Sequence, residues 1–262
     1  MKPRIIFIHG MFQNSKSWDQ YPWAAHFEQL GFDVEAPSWP LHEGDPSELR
    51  ANIPAGLGSL TLSQVYHHIR GIILQSPEKP VVVGHSLGGL IAQKLLAEGL
   101  LRAAVGIASV APNKMLALDW GFLRNSASIT NPFAGSDPYE MTPELFHQNF
   151  ANTLSRGESD AAWSDTAVHE SRQVLRDILG EDGEIDMTRP HAPLLLIGAE
   201  KDEIIPASLV RRNAHAYEDE RSHHEYREFT GRGHFICGEP GWEEIATSIS
   251  NWLQGHLTAV RS

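Results

Sequence analysis

Pro80-Val81-Val82-Val83-Gly84-His85-Ser86-Leu87-Gly88-Gly89 sets a short apolar run against a glycine-flanked serine, and an apolar helical pattern follows to Glu98. Pro80–Val83 reads as a buried strand and Leu87–Glu98 as a helix, with Gly99 as its C-cap. A G-x-S-x-G pentapeptide arises by chance in about one chain in ten of this size. Its place between a strand and a helix carries more weight. A sharp strand-to-helix turn holds the central serine in a strained conformation with its hydroxyl presented. The close approach of strand and helix requires small residues on either side, which Gly84 and Gly88 supply. Ser86 is therefore the candidate nucleophile. The helix N-terminus behind it offers N–H groups to developing negative charge.

Outward from this unit the chain alternates strand and helix, which predicts parallel strands joined by crossover helices. The predicted strands are Arg4–Ile8, Phe32–Ala36, Pro80–Val83, Ala103–Ala108, Leu194–Ile197 and Glu225–Phe229. Thr61 and Gln64 form a capping-box pattern that opens a helix to about Gln75, where Pro77 stops it. Ala207–Tyr217 and Trp242–Leu253 complete the series. The expected fold is α/β, a doubly wound, mostly parallel sheet of about six strands. Residues 112–189 break the rhythm, with helical patterns at Pro143–Leu154 and Ser159–Leu179 and no strand. So long a stretch is not a structureless loop. It reads as a helical cap inserted into a core formed by residues 1–111 and 190–262.

A serine hydroxyl attacks only when a base takes its proton. Gly231-Arg232-Gly233-His234-Phe235 follows a predicted strand and precedes the last helix, which makes His234 the candidate base among 14 histidines. A carboxylate is then needed to fix the imidazole tautomer. Asp202 follows the strand Leu194–Ile197 and is the leading candidate; Glu200, Glu203 and Asp119 are its rivals. The order Ser86, Asp202, His234 suits such a fold. Oxyanion donors are expected at the backbone N–H of Leu87 and in the loop His9-Gly10-Met11-Phe12, from Met11 first and Phe12 second. His9 is expected to pack beneath that loop. Phe12, His85 and Phe235 flank the chemistry as expected pocket residues.

The whole composition fits a soluble globular chain: 262 residues, 41% hydrophobic and 21% charged. The formal net charge is −12, which argues against nucleic acid or an anionic membrane as partner. One cysteine, Cys237, allows no intrachain disulfide and reads as a small core residue. The apolar run Ile5–Ile8 is too short for a signal peptide, and no stretch approaches a membrane span. A cytoplasmic monomer or homodimer is expected. His67-His68 and His223-His224 lack metal-ligand spacing, so no metal site is expected. Trp18, Trp23 and Trp39 read as packing near the first strands.

Taken together, the His-Gly loop, the Gly-His-Ser-Leu-Gly elbow, the Gly-x-x-x-Asp turn and the Gly-His-Phe turn resemble those of the α/β-hydrolase superfamily over essentially the whole chain. The chain enters almost directly at the oxyanion-loop strand, which is similar to the plant esterase and hydroxynitrile lyase branch. In those lyases a lysine follows the catalytic histidine; here that position is Phe235, which argues for ester hydrolysis. Ser86 sets the chain apart from relatives that attack with aspartate. The resemblance implies a carboxylesterase-type serine hydrolase acting without metal or organic cofactor on a small ester with an apolar acyl or aromatic part. Same-fold alternatives are a lyase, a perhydrolase or haloperoxidase, a C–C bond hydrolase, or a receptor that reads ligands with the cap. Among the cap aromatics Trp120, Phe122, Phe133, Tyr139, Phe146, Phe150 and Trp163, one or two are expected to line the pocket.

Overall fold

The computed structural model describes residues 2–116, 119 and 135–258; Trp120, Phe122 and Phe133 lie outside them. Six strands form one sheet: β1 (Arg4–Ile8), β2 (Asp33–Glu35), β3 (Val81–His85), β4 (Ala103–Ile107), β5 (Leu194–Ala199) and β6 (His224–Phe229). Their order is β2-β1-β3-β4-β5-β6 and every pairing is parallel. Helices cover both faces, so the inner strands are apolar on both sides. Ile5 and Phe7 join the apolar cluster of one face, while Ile6 and Ile8 join that of the other. Val81 and Val83 oppose Val82 in the same way. Edge strand β6 is only partly buried and carries Glu225, Arg227 and Glu228, charges that discourage pairing with another sheet.

The chain leaves β1 towards β2 on one side, then crosses back to β3 on the other. Sheets of this kind commonly place ligand sites at such a switch, at the carboxyl ends of the strands. The register sets Ile8 opposite Gly84, so the loop starting at His9 runs beside the turn that carries Ser86.

Between β4 and β5 the described residues are helical: Asn113–Leu116, Pro143–Leu145 running into a π-turn at Phe146–Phe150, Arg156–Thr166 and Arg172–Ile178. The second expected cap helix is split. Ser155 and Glu158 form a capping box that starts a helix at Arg156, ahead of the expected Ser159. At 167–171 the chain becomes extended, because Glu170 exchanges two backbone hydrogen bonds with Tyr139. Ser171 then caps a new helix by accepting from the Gln173 and Val174 N–H groups. Met141, Phe146, Phe150, Ala162, Val174, Leu175 and Ile178 share one apolar cluster with Ile6, Ile8 and helices Leu62–Leu74 and Leu87–Ala97. The insertion and one face of the sheet therefore share a core.

Candidate active site

Ser86 has φ 54° and ψ −117°, a strained conformation for a residue with a side chain. Its surroundings over-determine it. The Ser86 N–H donates to the Ile107 carbonyl at 2.9 Å, and its own carbonyl accepts from Gly89 and Val110. A Cβ on Gly84 would lie 2.1 Å from the Gly88 carbonyl oxygen, and one on Gly88 would lie 2.3 Å from that of Ile8. Glycine is thus required at both flanking positions. Gly10 belongs to the same cluster, since a Cβ there would meet Cβ of Ser86 at 2.8 Å.

Asp202 and His234 come together as the sequence suggests. Oδ2 of Asp202 accepts from Nδ1 of His234 at 2.8 Å, and both side chains are buried. Oδ1 accepts from the Ile204 and Ile205 N–H groups at 2.8 and 2.7 Å. The carboxylate is thereby fixed from three directions. It keeps the His234 proton on Nδ1 and leaves a lone pair on Nε2. Two of the rivals lie elsewhere: Glu200 accepts from the Gly231 N–H, and Asp119 pairs with Arg212 at 2.7 Å. Among the described residues, neither the Ser86 hydroxyl nor Nε2 of His234 has a hydrogen-bond partner, so the two are not bonded to each other. Such bonds are often long without substrate and tighten in the reacting complex.

His85, expected on the pocket wall, is buried and ties the two turns together. Its Nε2–H donates to the His234 carbonyl at 2.9 Å, and Nδ1 meets the Gln13 amide at 3.2 Å. Burial, and then repulsion from a charged His234, push its pKa down to about 3, so the ring is neutral. Phe235 is also buried, packed against Tyr21 and Phe146. Its N–H donates to the Phe150 carbonyl, and the Phe150 ring stands edge-on to His234 at 4.8 Å. Glu239, buried, accepts from the Gly233 N–H at 2.8 Å and from the Thr153 hydroxyl. The base turn is thus held by the insertion as well as by the sheet.

Phe12 has φ 64°. Its N–H donates to Oε2 of Glu170 at 3.3 Å, while its carbonyl accepts from the Val168 N–H at 3.0 Å. The Phe12 N–H is therefore already engaged. Those of Met11 and of Leu87, the first helical residue, have no partner among the described residues. Glu170 is fully buried and also meets Nε2 of His42 at 3.1 Å and accepts from the Ser171 N–H at 2.7 Å. Burial works against a charge on His42, but Glu170 outweighs it and raises the pKa. Nδ1 of His42 meets the Pro40 carbonyl at 2.9 Å, so the ring bridges that carbonyl and Glu170 in a setting that favours its charged form. His9, as expected, packs beneath the loop: it stacks on Trp39, accepts the Trp39 N–H, and is held neutral first by burial and then by His42. Sequence reasoning missed Glu170, His42, Gln13 and Glu239. Each lies in an unremarkable polar stretch, and only tertiary contact gives it a role.

A model of the alpha/beta hydrolase family matches residues 5–246. A search of the curated proteins returns no match. Similar solved structures include a monoacylglycerol lipase from Paleococcus ferrophilus, 20% identical with a TM-score of 0.69, covering 97% of this chain and 96% of that one. A pyrethroid hydrolase from Sphingobium faniae JZ-2 is 15% identical with a TM-score of 0.68, covering 96% and 97%. Tomato methylketone synthase I is 15% identical with a TM-score of 0.70, covering 98% and 99%. At such identities the likeness is one of fold, whereas the family match runs through nearly the whole sequence: this protein belongs to the alpha/beta hydrolase family.

Proposed function

We propose that the protein is a serine hydrolase that cleaves carboxylic esters through an acyl-enzyme. The observation that carries this reading is the buried Asp202–His234 hydrogen bond beside the strained Ser86 turn. Oγ of Ser86 attacks the ester carbonyl as Nε2 of His234 takes its proton. The oxyanion receives the N–H groups of Met11 and Leu87. Collapse of the tetrahedral intermediate breaks the C–O bond, and His234 gives its proton to the leaving alcohol. Water, deprotonated by His234, then attacks the acyl carbonyl and releases the acid. Asp202 holds the imidazole and stabilises its charged form. The insertion acts as a cap, since Phe150 lies on His234 and the Asn152 side chain donates to the Lys201 carbonyl beside the acid turn.

Met11, Phe12 and Leu87 favour an apolar acyl or aromatic group on the ester. Relatives of this fold include proteins described as an esterase, a lipase and a methylketone synthase, so the test must separate hydrolysis from other outputs. No helix among the described residues is long and apolar enough to cross a membrane. We place the enzyme in the cytoplasm, where its buried Cys237 stays reduced.

The decisive experiment combines fluorophosphonate labelling, peptide mapping and turnover of p-nitrophenyl esters of increasing chain length. Ser86 should carry the label, and Ser86→Ala should abolish both labelling and turnover. Asp202→Asn should keep the fold and cut turnover by several orders of magnitude, on the order of 10⁴ in the best-studied triad. Label on another residue, or near-normal activity of Asp202→Asn, would overturn the assignment. A folded, labelled protein inert towards every ester would favour a same-fold lyase or perhydrolase.

A further inference from the structure

At the end of the sheet opposite Ser86, three side chains converge from separate parts of the chain. His223 immediately precedes β6, Glu225 lies on β6, and His256 stands in the last turn of the C-terminal helix Trp242–Thr258. One potential ligand atom from each lies within 4.8 Å of the others. The two imidazole rings are 4.2 Å apart between centroids and inclined by 36°. Nε2 of His223 is 3.7 Å from Oε2 of Glu225. We propose that His223, Glu225 and His256 form a surface site for a divalent transition metal such as Zn²⁺, linking the end of the C-terminal helix to the edge strand.

The donor chemistry favours this class of ion. Two imidazoles and one carboxylate suit zinc, copper or nickel, whereas calcium and magnesium prefer all-oxygen sets. Tetrahedral zinc with bonds near 2.05 Å sets its ligand atoms about 3.4 Å apart. The observed spread needs only small rotamer adjustments, which these partly exposed side chains can make. Residues 223 and 225 lie two apart in extended chain, so their side chains project to the same side. The rest of the site is already ordered. Oε1 of Glu225 accepts from Nε of Arg227 at 2.7 Å, and Arg227 is anchored on the carbonyl and hydroxyl of Ser248. That leaves Oε2 turned towards His223 and gives the carboxylate the outer-shell partner that metal ligands commonly have. His256 rests against Trp252 at 4.7 Å and forms no hydrogen bond among the described residues. Its nitrogens are therefore uncommitted. Charge adds to the case, because a net charge of −12 attracts cations. The site escapes a reading of spacing alone because its third donor comes from a helix far along the chain.

The simpler reading of the cluster is a surface His223–Glu225 ion pair that binds nothing, and titration calorimetry separates the two. EDTA-treated, full-length protein should take up one equivalent of Zn²⁺ with micromolar or tighter affinity. His223→Ala and His256→Ala should each weaken uptake at least tenfold, while Ca²⁺ and Mg²⁺ compete poorly. Zinc at about 100 times Kd should raise Tm by roughly 5 °C in the wild type and not in the variants. Circular dichroism verifies that the variants are folded. Zinc uptake that survives either substitution, or a wild type that binds no more zinc than the His223→Ala, His256→Ala double variant, overturns the proposal. Ester turnover plays no part in the test, so its outcome is independent of the hydrolase assignment.

Discussion

His85 shows how one residue can serve the site without facing substrate. Its neutral ring links the turn carrying Ser86 to the turn carrying His234, and burial keeps it neutral by lowering its pKa to about 3. The linkage to stability has a definite sign. In the unfolded chain a histidine titrates near 6.5, so as pH falls below about 6.5 the unfolded state binds a proton that folded His85 refuses. The stabilisation is complete above that value and is lost as pH falls towards the folded pKa, by roughly 1.4 kcal/mol per pH unit. His9, also depressed, adds a second such proton. His42, whose pKa is raised, acts in the opposite sense near pH 6.5, where the unfolded ring is only half protonated, and that contribution fades towards pH 5. Urea unfolding between pH 6.5 and 5 should show stability falling with acid, and His85→Gln, which retains an N–H donor, should reduce the slope by about one proton. An unchanged slope would mean that His85 is protonated in the fold.

Among the elements, the strap at 168–170 fixes the loop after β1, the proposed oxyanion loop. Val168 and Glu170 hold the Phe12 peptide from both sides, and the His42 ring against Glu170 completes the clamp. Glu170→Gln preserves the shape of the side chain but removes the carboxylate that favours charge on buried His42. Breaking a buried ion pair from one side costs about 3–5 kcal/mol, measurable by urea unfolding. Under the proposed mechanism the Met11 N–H acts chiefly in the transition state, so kcat should fall more than KM rises. Adding His42→Gln should recover part of the stability, because the buried titratable ring left without its carboxylate is then removed. Equal, additive losses in the cycle would show that the two residues are uncoupled. This clamp also marks where sequence stops being informative. The strands were legible because both faces of the sheet are buried, leaving apolar runs such as Val81–Val83 and Leu194–Ile197. The split at 167–171 was not, because the partners that pull the chain out of its helix, Tyr139 and Phe12, sit far away in sequence.

On the scale of the whole molecule, the same contrast recurs. Ser86, Asp202 and His234 were legible because each follows a strand in a local pattern that the turn geometry demands. The supports of the site, Glu239, Glu170 and Phe150, depend on how the insertion settles on the core, which no local pattern encodes. That settling has a thermodynamic consequence. The apolar residues of the insertion share one cluster with the sheet face, and Phe150 joins it to the base turn through its ring and its carbonyl. A cap with its own core would melt separately, whereas a shared core couples the two. Phe150→Ala removes a fully buried aromatic side chain and should cost about 3–5 kcal/mol. Calorimetry should show one transition in the wild type, with calorimetric and van't Hoff enthalpies in agreement. The variant should shift that whole transition downwards and lose ester turnover together with His234 ordering. A variant with an early cap transition and an unmoved main peak would show that the insertion is an independent unit resting on the site.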